Sequence, residues 1–283
     1  LEGKKGSVVA IDPSSGELLA IASAPSFDPN ILSGRDYSKN YRNLQLDTLN
    51  PIYNRALTAT YPPGSMFKLI QALIGLEENV VSKEDQIYVD LSRIGDLAPA
   101  GIYDLNKAIV NSSNNYFHML FRKLINQKRD NNTFIDSRIG LDRWSEYVKK
   151  FGLGSDLDFD ISNISSGFVP SSEYYDGFYG KGRWKFSNIY SLSIGQGELL
   201  VTPIQMANFA SIIANRGYYY NPNIVTHING KKTSNNQRKY LDIDKTHFDY
   251  VVDAMENVVM NGSARRAYML SLIHISEPTR PNC

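Results

Sequence analysis

The chain has 283 residues, of which 42% are hydrophobic, and a formal net charge of +1, so it is long enough for one large domain or two small ones. Balanced charge with neither a basic stripe nor an acidic tail argues against nucleic acid as a partner. The lone cysteine, Cys283, excludes an internal disulfide and a cysteine zinc cluster, the four histidines show no ligand spacing, and no run of about 18 apolar residues is present to cross a bilayer.

The first residues, Leu1-Glu2-Gly3-Lys4-Lys5, carry neither a start methionine nor an apolar stretch, so no signal peptide is read there. They read as the interior of a longer protein. Residues 6–13 form a short β-run, Ser14-Ser15-Gly16 a turn, and residues 17–23 a returning strand, which together predict a hairpin. Residues 24–55, punctuated by Pro25, Pro29, Asn40 and Asn50, read as a long irregular loop, functional or a lid.

Tyr61-Pro62-Pro63-Gly64-Ser65-Met66-Phe67-Lys68 then leads into an apolar helix expected to reach about residue 78. Proline suits a helix entry because its missing N–H would be unpaired there anyway. Ser65 and Lys68 lie three apart and so share a helix face. A lysine of lowered pKa could take the serine's proton, and the helix N-terminus would favour the developing negative charge. The tetrad alone does not decide this. A Ser-x-x-Lys is expected roughly once by chance in a chain of this length, and a capping serine beside a solvated lysine has the same spelling.

Residues 80–100 show no clear periodicity. Residues 104–127 are helical but broken by Asn111-Ser112-Ser113-Asn114-Asn115, where either two helices meet or a functional loop intervenes. Ser112 and Asn114 form a Ser-x-Asn set: a hydroxyl relays protons, and an amide holds a peptide carbonyl. The same residue types also punctuate ordinary helix junctions. Residues 136–151 predict an amphipathic helix ended by Gly152 and Gly154, and residues 156–187 are loop-rich and aromatic. Gly195-Gln196-Gly197 lacks the Gly-Lys-Ser/Thr ending of a phosphate loop, so nucleotide binding is rejected. Thr202-Pro203 caps and opens a helix through about residue 215. Residues 221–228 read as a strand before the Asn229-Gly230 turn, and residues 244–261 as a last helix striped by Phe248, Val251, Val252, Met255, Val258 and Val259. No repeat divides the chain, so one domain is the simplest organisation.

In their order, the residue 6–13 hairpin, Tyr-Pro-Pro-Gly-Ser-Met-Phe-Lys, Ser-Ser-Asn, Gly-Gln-Gly with Thr202-Pro203-Ile204-Gln205-Met206-Ala207, and Asn261-Gly262-Ser263-Ala264-Arg265 resemble the penicillin-binding-protein transpeptidases, in their class B, elongation-type branch. The resemblance covers nearly all of residues 6–269. It implies an α+β fold of the serine β-lactamase and D,D-peptidase type, an antiparallel sheet flanked by helices. It implies a serine D,D-transpeptidase that cross-links peptidoglycan stem peptides and is acylated by β-lactams. Ser65 would be the nucleophile, Lys68 the proton acceptor, Ser112 the proton relay, and Asn114 the holder of the peptide backbone. Expected partners are stem peptides, β-lactams and a membrane glycan polymerase of the SEDS type, the last through an N-terminal region. The expected location is the periplasmic face of the bacterial inner membrane. No cofactor is implied. Some members hold a metal between the first two motifs, but residues 80–109 offer no Cys or His, so none is expected.

Two departures from the family pattern stand out. Met66 replaces the usual threonine, and its side chain is expected to face the core. The third motif, Lys-Ser/Thr-Gly, is absent. Lys231-Lys232-Thr233-Ser234 lacks the glycine and precedes the last helix, so it is read as a surface loop. Residues 270–280 resemble the translation of a sequencing adapter, which makes 1–269 a partial transpeptidase domain and 270–283 a non-native tail. A domain ending there would lack the strands after the last helix and one of its two oxyanion donors. It is expected to fold poorly and to be inactive, whereas its parent gene product is active. The rival readings are a serine β-lactamase, for which Glu173 is the nearest general-base candidate although no Glu-x-x-Leu-Asn surrounds it, and a non-enzymatic β-lactam sensor.

Overall fold

A computed structural model describes residues 4–232 and 237–267. Strands β1 (Gly6–Ile11) and β2 (Leu18–Ala24) form the expected antiparallel hairpin, with Gly6 opposite Ala24 and a register shift at Ala10/Ile11. Helix α1 (Tyr37–Leu46) follows, then a 3₁₀ turn (Gly64–Phe67) continuous with α2 (Lys68–Glu77). Strands β3 (Ile87–Val89) and β4 (Gly101–Tyr103) pair antiparallel, and α3 (Leu105–Val110), α4 (Asn114–Ile125) and α5 (Thr133–Lys150) come next. The chain continues through α6 (Ser172–Tyr179), α7 (Phe186–Ile189), a 3₁₀ turn (Tyr190–Ile194) and α8 (Pro203–Ala214). Short strands β5 (Tyr218–Tyr219), β6 (His227–Ile228), β7 (Lys231–Lys232) and β8 (Lys239–Tyr240) pair as β5–β8 and β6–β7, before the last long helix, α9 (Lys245–Met260).

Helix α2 is the axis of the molecule. Eight of its residues, from Lys68 to Leu76, are buried, Leu69 being the exception in that run. A helix apolar on every side belongs inside, and α2 is wrapped by α3, α4, α5, α9 and the 190–194 turn. Both ends of its one internal side-chain amide are bonded: Trp144 Nε1 donates to Gln71 Oε1 (2.9 Å), and Gln71 Nε2 donates to the Leu192 carbonyl (3.2 Å). These bonds tie α5 and the 190–194 turn to α2, and pairing removes the cost of burying the groups. Glu78 closes the end of α2, with Arg143 at 2.6 Å and Arg129 at 3.6 Å.

Three elements differ from the sequence reading. Residues 24–55 contain α1, a helix with no buried residue. Its only apolar face is the short set Tyr37, Tyr41 and Leu44, none of them fully buried, among polar residues and close to Pro25 and Pro29. Residues 221–226 are not a strand. Their polar groups go elsewhere: Asn223 N donates to Gly16 O (2.9 Å), Leu18 N to Asn223 O (2.8 Å), and Ile224 N and Val225 N to the Asp160 carboxylate. Gly16 permits that seating, because at φ +76° a Cβ there would stand 2.6 Å from the Asn221 carbonyl oxygen. Residues 156–187 hold α6 and α7 within their loops. The Thr202–Gln205 capping box of α8 is formed on both sides, and Gln205 Nε2 also donates to Ser155 O and Ser166 O.

Lys231 lies in the β6–β7 hairpin, whereas Thr233, Ser234 and the suspected tail at 270–283 lie outside the described residues. Among the described residues no helix is long and apolar enough to cross a membrane.

Candidate active site

The break in the helical run at residues 111–115 is a junction of two helices. Helix α3 ends at Val110, and α4 starts at Asn114 with the Ser113 hydroxyl accepting from Tyr116 N (3.2 Å). Ser112 turns the corner at φ +52°. A non-glycine residue is costly in that left-handed region and persists where its surroundings impose it. The turn is imposed by Ser112 N donating to Ile109 O (3.0 Å) and Ser113 N to Ala108 O (2.9 Å).

The Lys68 amine rises from the first residue of α2 to meet this corner. It donates to the Ser112 carbonyl (2.6 Å) and Asn114 Oδ1 (2.6 Å), and lies 3.0 Å from Ser112 Oγ. Asn114 Nδ2 donates to Gly95 O (2.7 Å), which orients the amide with its oxygen toward Lys68. Lys68 is only 2% exposed. Burial pushes its pKa down to about 8, against a smaller opposing pull from the Asp96 carboxylate.

Asp96 lies in a stretch without periodicity, where no sequence pattern marks it. Its Oδ2 accepts from Asn115 N (2.8 Å), Ser113 Oγ (2.9 Å) and Asn115 Nδ2 (3.2 Å). Burial pushes this carboxyl up, but donors from Asn115, Ala98, Asn114 and Ser113 outweigh it and hold the group below its ordinary value. Asn115 Oδ1 in turn accepts from Arg93 N and Ile94 N. The 93–96 loop is thus stitched to the start of α4. The polar run at 111–115 is the only sequence signal for it.

Ser65 stands exposed in the 3₁₀ turn, in the first turn, where backbone N–H groups have no carbonyl behind them. Lys68, Ser112 and Asn114 are therefore brought into direct contact, whereas the Ser65 hydroxyl makes no hydrogen bond to Lys68 in this arrangement. Its turn is held by a neighbouring segment. Tyr61 N donates to Val201 O and Val201 N to Tyr61 O, both 2.9 Å, and Gly64 N donates to Gly195 O (2.9 Å). Gly195, at φ +70°, lies so close that a Cβ would be 2.4 Å from Gly64 O and 2.7 Å from Phe67 Cβ. Gly-Gln-Gly is thus a wall behind the Ser65 turn.

Met66 corrects the sequence expectation: it is 55% exposed, not in the core. The tight turn rotates Phe67 (0% exposed) into the interior instead, edge-on to Trp144 at 5.8 Å. Glu173 is exposed in the first turn of α6 and is not among the groups bonded to Lys68, Ser112 or Asn114.

Residues 6–275 match the penicillin binding protein transpeptidase domain. The chain belongs to this family. The peptidoglycan D,D-transpeptidase MrdA of Acinetobacter baumannii is 30% identical over 94% of the chain. The chain spans only 39% of that relative's length. Among solved structures, Pseudomonas aeruginosa PBP2 in complex with WCK 5153 superposes with a TM-score of 0.79 at 30% identity, over 94% of this chain and 60% of that one. A structure described as the structural coordination of polymerization and crosslinking by a peptidoglycan synthase complex superposes with a TM-score of 0.76 at 27% identity, over 93% of this chain and 43% of that one. The fold is that of the transpeptidase family, with helices flanking small antiparallel sheets.

Proposed function

We propose that this chain is the acyl-transfer domain of a peptidoglycan D,D-transpeptidase, with Ser65 the nucleophile, Lys68 the base, Ser112 the relay and Asn114 the holder of the substrate backbone. The observation that carries this is the buried Lys68 amine held at the α3–α4 corner one turn below Ser65.

The donor set of Lys68 limits what it does. The Ser112 carbonyl and Asn114 Oδ1 can only accept, so they take two N–H bonds. The third neighbour, Ser112 Oγ, either accepts or donates. When Lys68 is neutral, its lone pair faces that hydroxyl, and Ser112 donates to it. With a pKa of about 8, a useful fraction of the amine is neutral near neutral pH.

Ser65 Oγ attacks the carbonyl between the two terminal D-alanines of a stem peptide. Its proton passes to Ser112 Oγ as the Ser112 proton passes to Lys68. The tetrahedral intermediate collapses, the C–N bond breaks, and the departing D-alanine amine takes the proton back along the same path. The acyl group, now an ester of Ser65, is attacked by the amine of a second stem peptide, whose proton returns to Ser65 through Ser112 and Lys68. A β-lactam enters the first half of this cycle, its ring nitrogen remaining tethered.

The structural likeness to a peptidoglycan synthase complex supports a glycan polymerase as partner, and action on the periplasmic face of the inner membrane is part of the same proposal. The test is fluorescent penicillin given to the intact protein that carries this domain. A stoichiometric adduct on the peptide containing Ser65, lost in Ser65→Ala, supports the reading, and labelling that leaves this peptide unmodified overturns it.

A further inference from the structure

Below the α3–α4 corner a pocket of about 440 Å³ opens between the 93–96 loop, α4, α5 and α7. Helix α4 supplies its floor: His118, Arg122 and Asn126 recur every four residues and share one face. Arg93 overhangs from the loop, and Lys185 and Phe186 close the far side.

The pocket is cationic and its charges are uncompensated. Arg129, Arg138, Arg143, Arg216 and Lys150 all pair with carboxylates. Arg93, Arg122 and Lys185 pair with none among the described residues. Two acids, Asp130 and Asp136, line an adjoining pocket with Arg93 and Arg122; Asp136 already accepts from Arg129 N, Lys128 N and Asn126 Nδ2, and Asp130 from Asn132 N. The Arg122 guanidinium lies 5.9 Å from the Phe186 ring centroid.

His118 marks the floor. It is 8% exposed, edge-on to Phe186 (5.1 Å) and Tyr190 (5.9 Å), and its buried Nδ1 has no partner. Nε2 is the ring atom left to meet a ligand. Burial, then the fields of Arg93 and Arg122, hold His118 below its usual pKa, so both guanidiniums act on this one spot.

We propose that this pocket is an anion subsite that takes a side carboxylate of the stem peptide while the peptide backbone lies at Asn114. The assignment rests on the transpeptidase reading above. Two observations direct it to the peptide. Arg93 is two residues from Gly95, whose carbonyl holds Asn114, and Arg93 N donates to Asn115 Oδ1 (3.3 Å). From Asn114 to Arg122 is eight residues of helix, about 12 Å, a span that three to four residues of extended peptide cover. The aromatic walls suit a peptide arm, whereas free phosphate would use only the cations.

The test is calorimetric binding to Ser65→Ala protein, with three probes: a stem pentapeptide with a free glutamyl carboxylate, its carboxamide twin, and inorganic phosphate. The free acid is expected to bind roughly fivefold or more tightly than the amide. Arg93→Gln and Arg122→Gln each erase most of that preference, and Lys150→Gln, outside the pocket, leaves it intact. The His118 ring titration, followed by NMR, moves up with the acid and not with the amide, because the bound anion offsets the guanidiniums. Equal affinity for acid and amide overturns the subsite. Phosphate that binds and is not displaced by the acid peptide overturns the assignment to the peptide. Wild-type protein that forms the Ser65 penicillin adduct yet shows no preference for the acid defeats this inference alone, and absence of the adduct defeats the reading beneath it.

Discussion

Asp96 accepts the Ser113 hydroxyl at 2.9 Å and thereby anchors the corner on which Lys68 rests. A carboxylate with no contact to Ser65 thus acts on both the shape and the field around Lys68. Asp96→Asn keeps one acceptor but turns an amide toward donors. It is expected to cost about 1–3 kcal/mol of stability in denaturant titrations. Because the Asp96 charge raises the Lys68 pKa, its removal also shifts the acylation pH profile to lower pH. A profile that stays in place separates Asp96 from Lys68.

The carboxyl of Asp96 titrates below its ordinary 3.8 when folded. Its stabilising contribution is therefore complete above the unfolded value and lost as pH falls through the folded one. Wild-type protein is expected to lose stability below about pH 4, and Asp96→Asn to lose less over the same window. Parallel acid-unfolding curves for the two would contradict this.

Lys68 has the opposite sign. Its folded pKa is about 8 against 10.5 unfolded, so burial of the charge is unfavourable at low pH and the penalty is relieved as pH rises from about 8 toward 10.5. Penicillin acylation is expected to rise with pH through an inflection near 8. Lys68→Arg, always charged, should abolish acylation at every pH; residual labelling that still climbs near 8 would show another base.

Ser112, the proposed relay, also holds a left-handed backbone. Ser112→Ala and Ser112→Gly both remove the hydroxyl and are expected to slow acylation by about 10²–10⁴. They should differ in stability by roughly 1 kcal/mol in favour of glycine, which adopts positive φ without strain. Equal melting temperatures would mean that the corner is not strained.

Gly195→Ala and Gly182→Ala make a matched pair. Both glycines have φ near +70°, but a Cβ at Gly182 meets nothing within 4 Å, while at Gly195 it would lie 2.4 Å from Gly64 O. Gly182→Ala is expected to cost about 1–2 kcal/mol of backbone strain and leave labelling unchanged. Gly195→Ala displaces the Ser65 turn and reduces labelling at least tenfold. Identical labelling of the two would remove Gly-Gln-Gly from any part in placing Ser65.

The hydrogen-bonding groups around Lys68 include no carboxylate, so no carboxylate base is placed there to drive water onto an acyl-enzyme. The penicilloyl adduct is expected to persist long after excess drug is removed. Rapid recovery of free enzyme by mass spectrometry would favour the β-lactamase reading instead.

Local chemistry makes much of this protein legible in its amino-acid sequence. The hairpin at residues 6–24, the all-apolar helix after Lys68, the Thr202–Gln205 cap and the Phe248–Val251 face of α9 follow from turn residues, caps and periodicity. These are short-range rules, and the four residues of the proposed site, Ser65, Lys68, Ser112 and Asn114, sit in such local patterns. What local pattern leaves open is decided by folding. Helix α1 fully buries none of its residues, so its sequence carries only the short Tyr37, Tyr41 and Leu44 face. Met66 and Phe67 are equally plausible core residues by composition, and the tightness of one turn sends Phe67 inward. Asp96 and Arg93 lie in a stretch without periodicity, and hydrogen bonds to Ser113, Asn114 and Asn115 bring that stretch to the site. The lowered pKa of Lys68 belongs to this second class. The spacing puts a lysine near a serine, but the loss of water that lowers its pKa comes from residues distant in the chain, Asn114 and Phe117 among them.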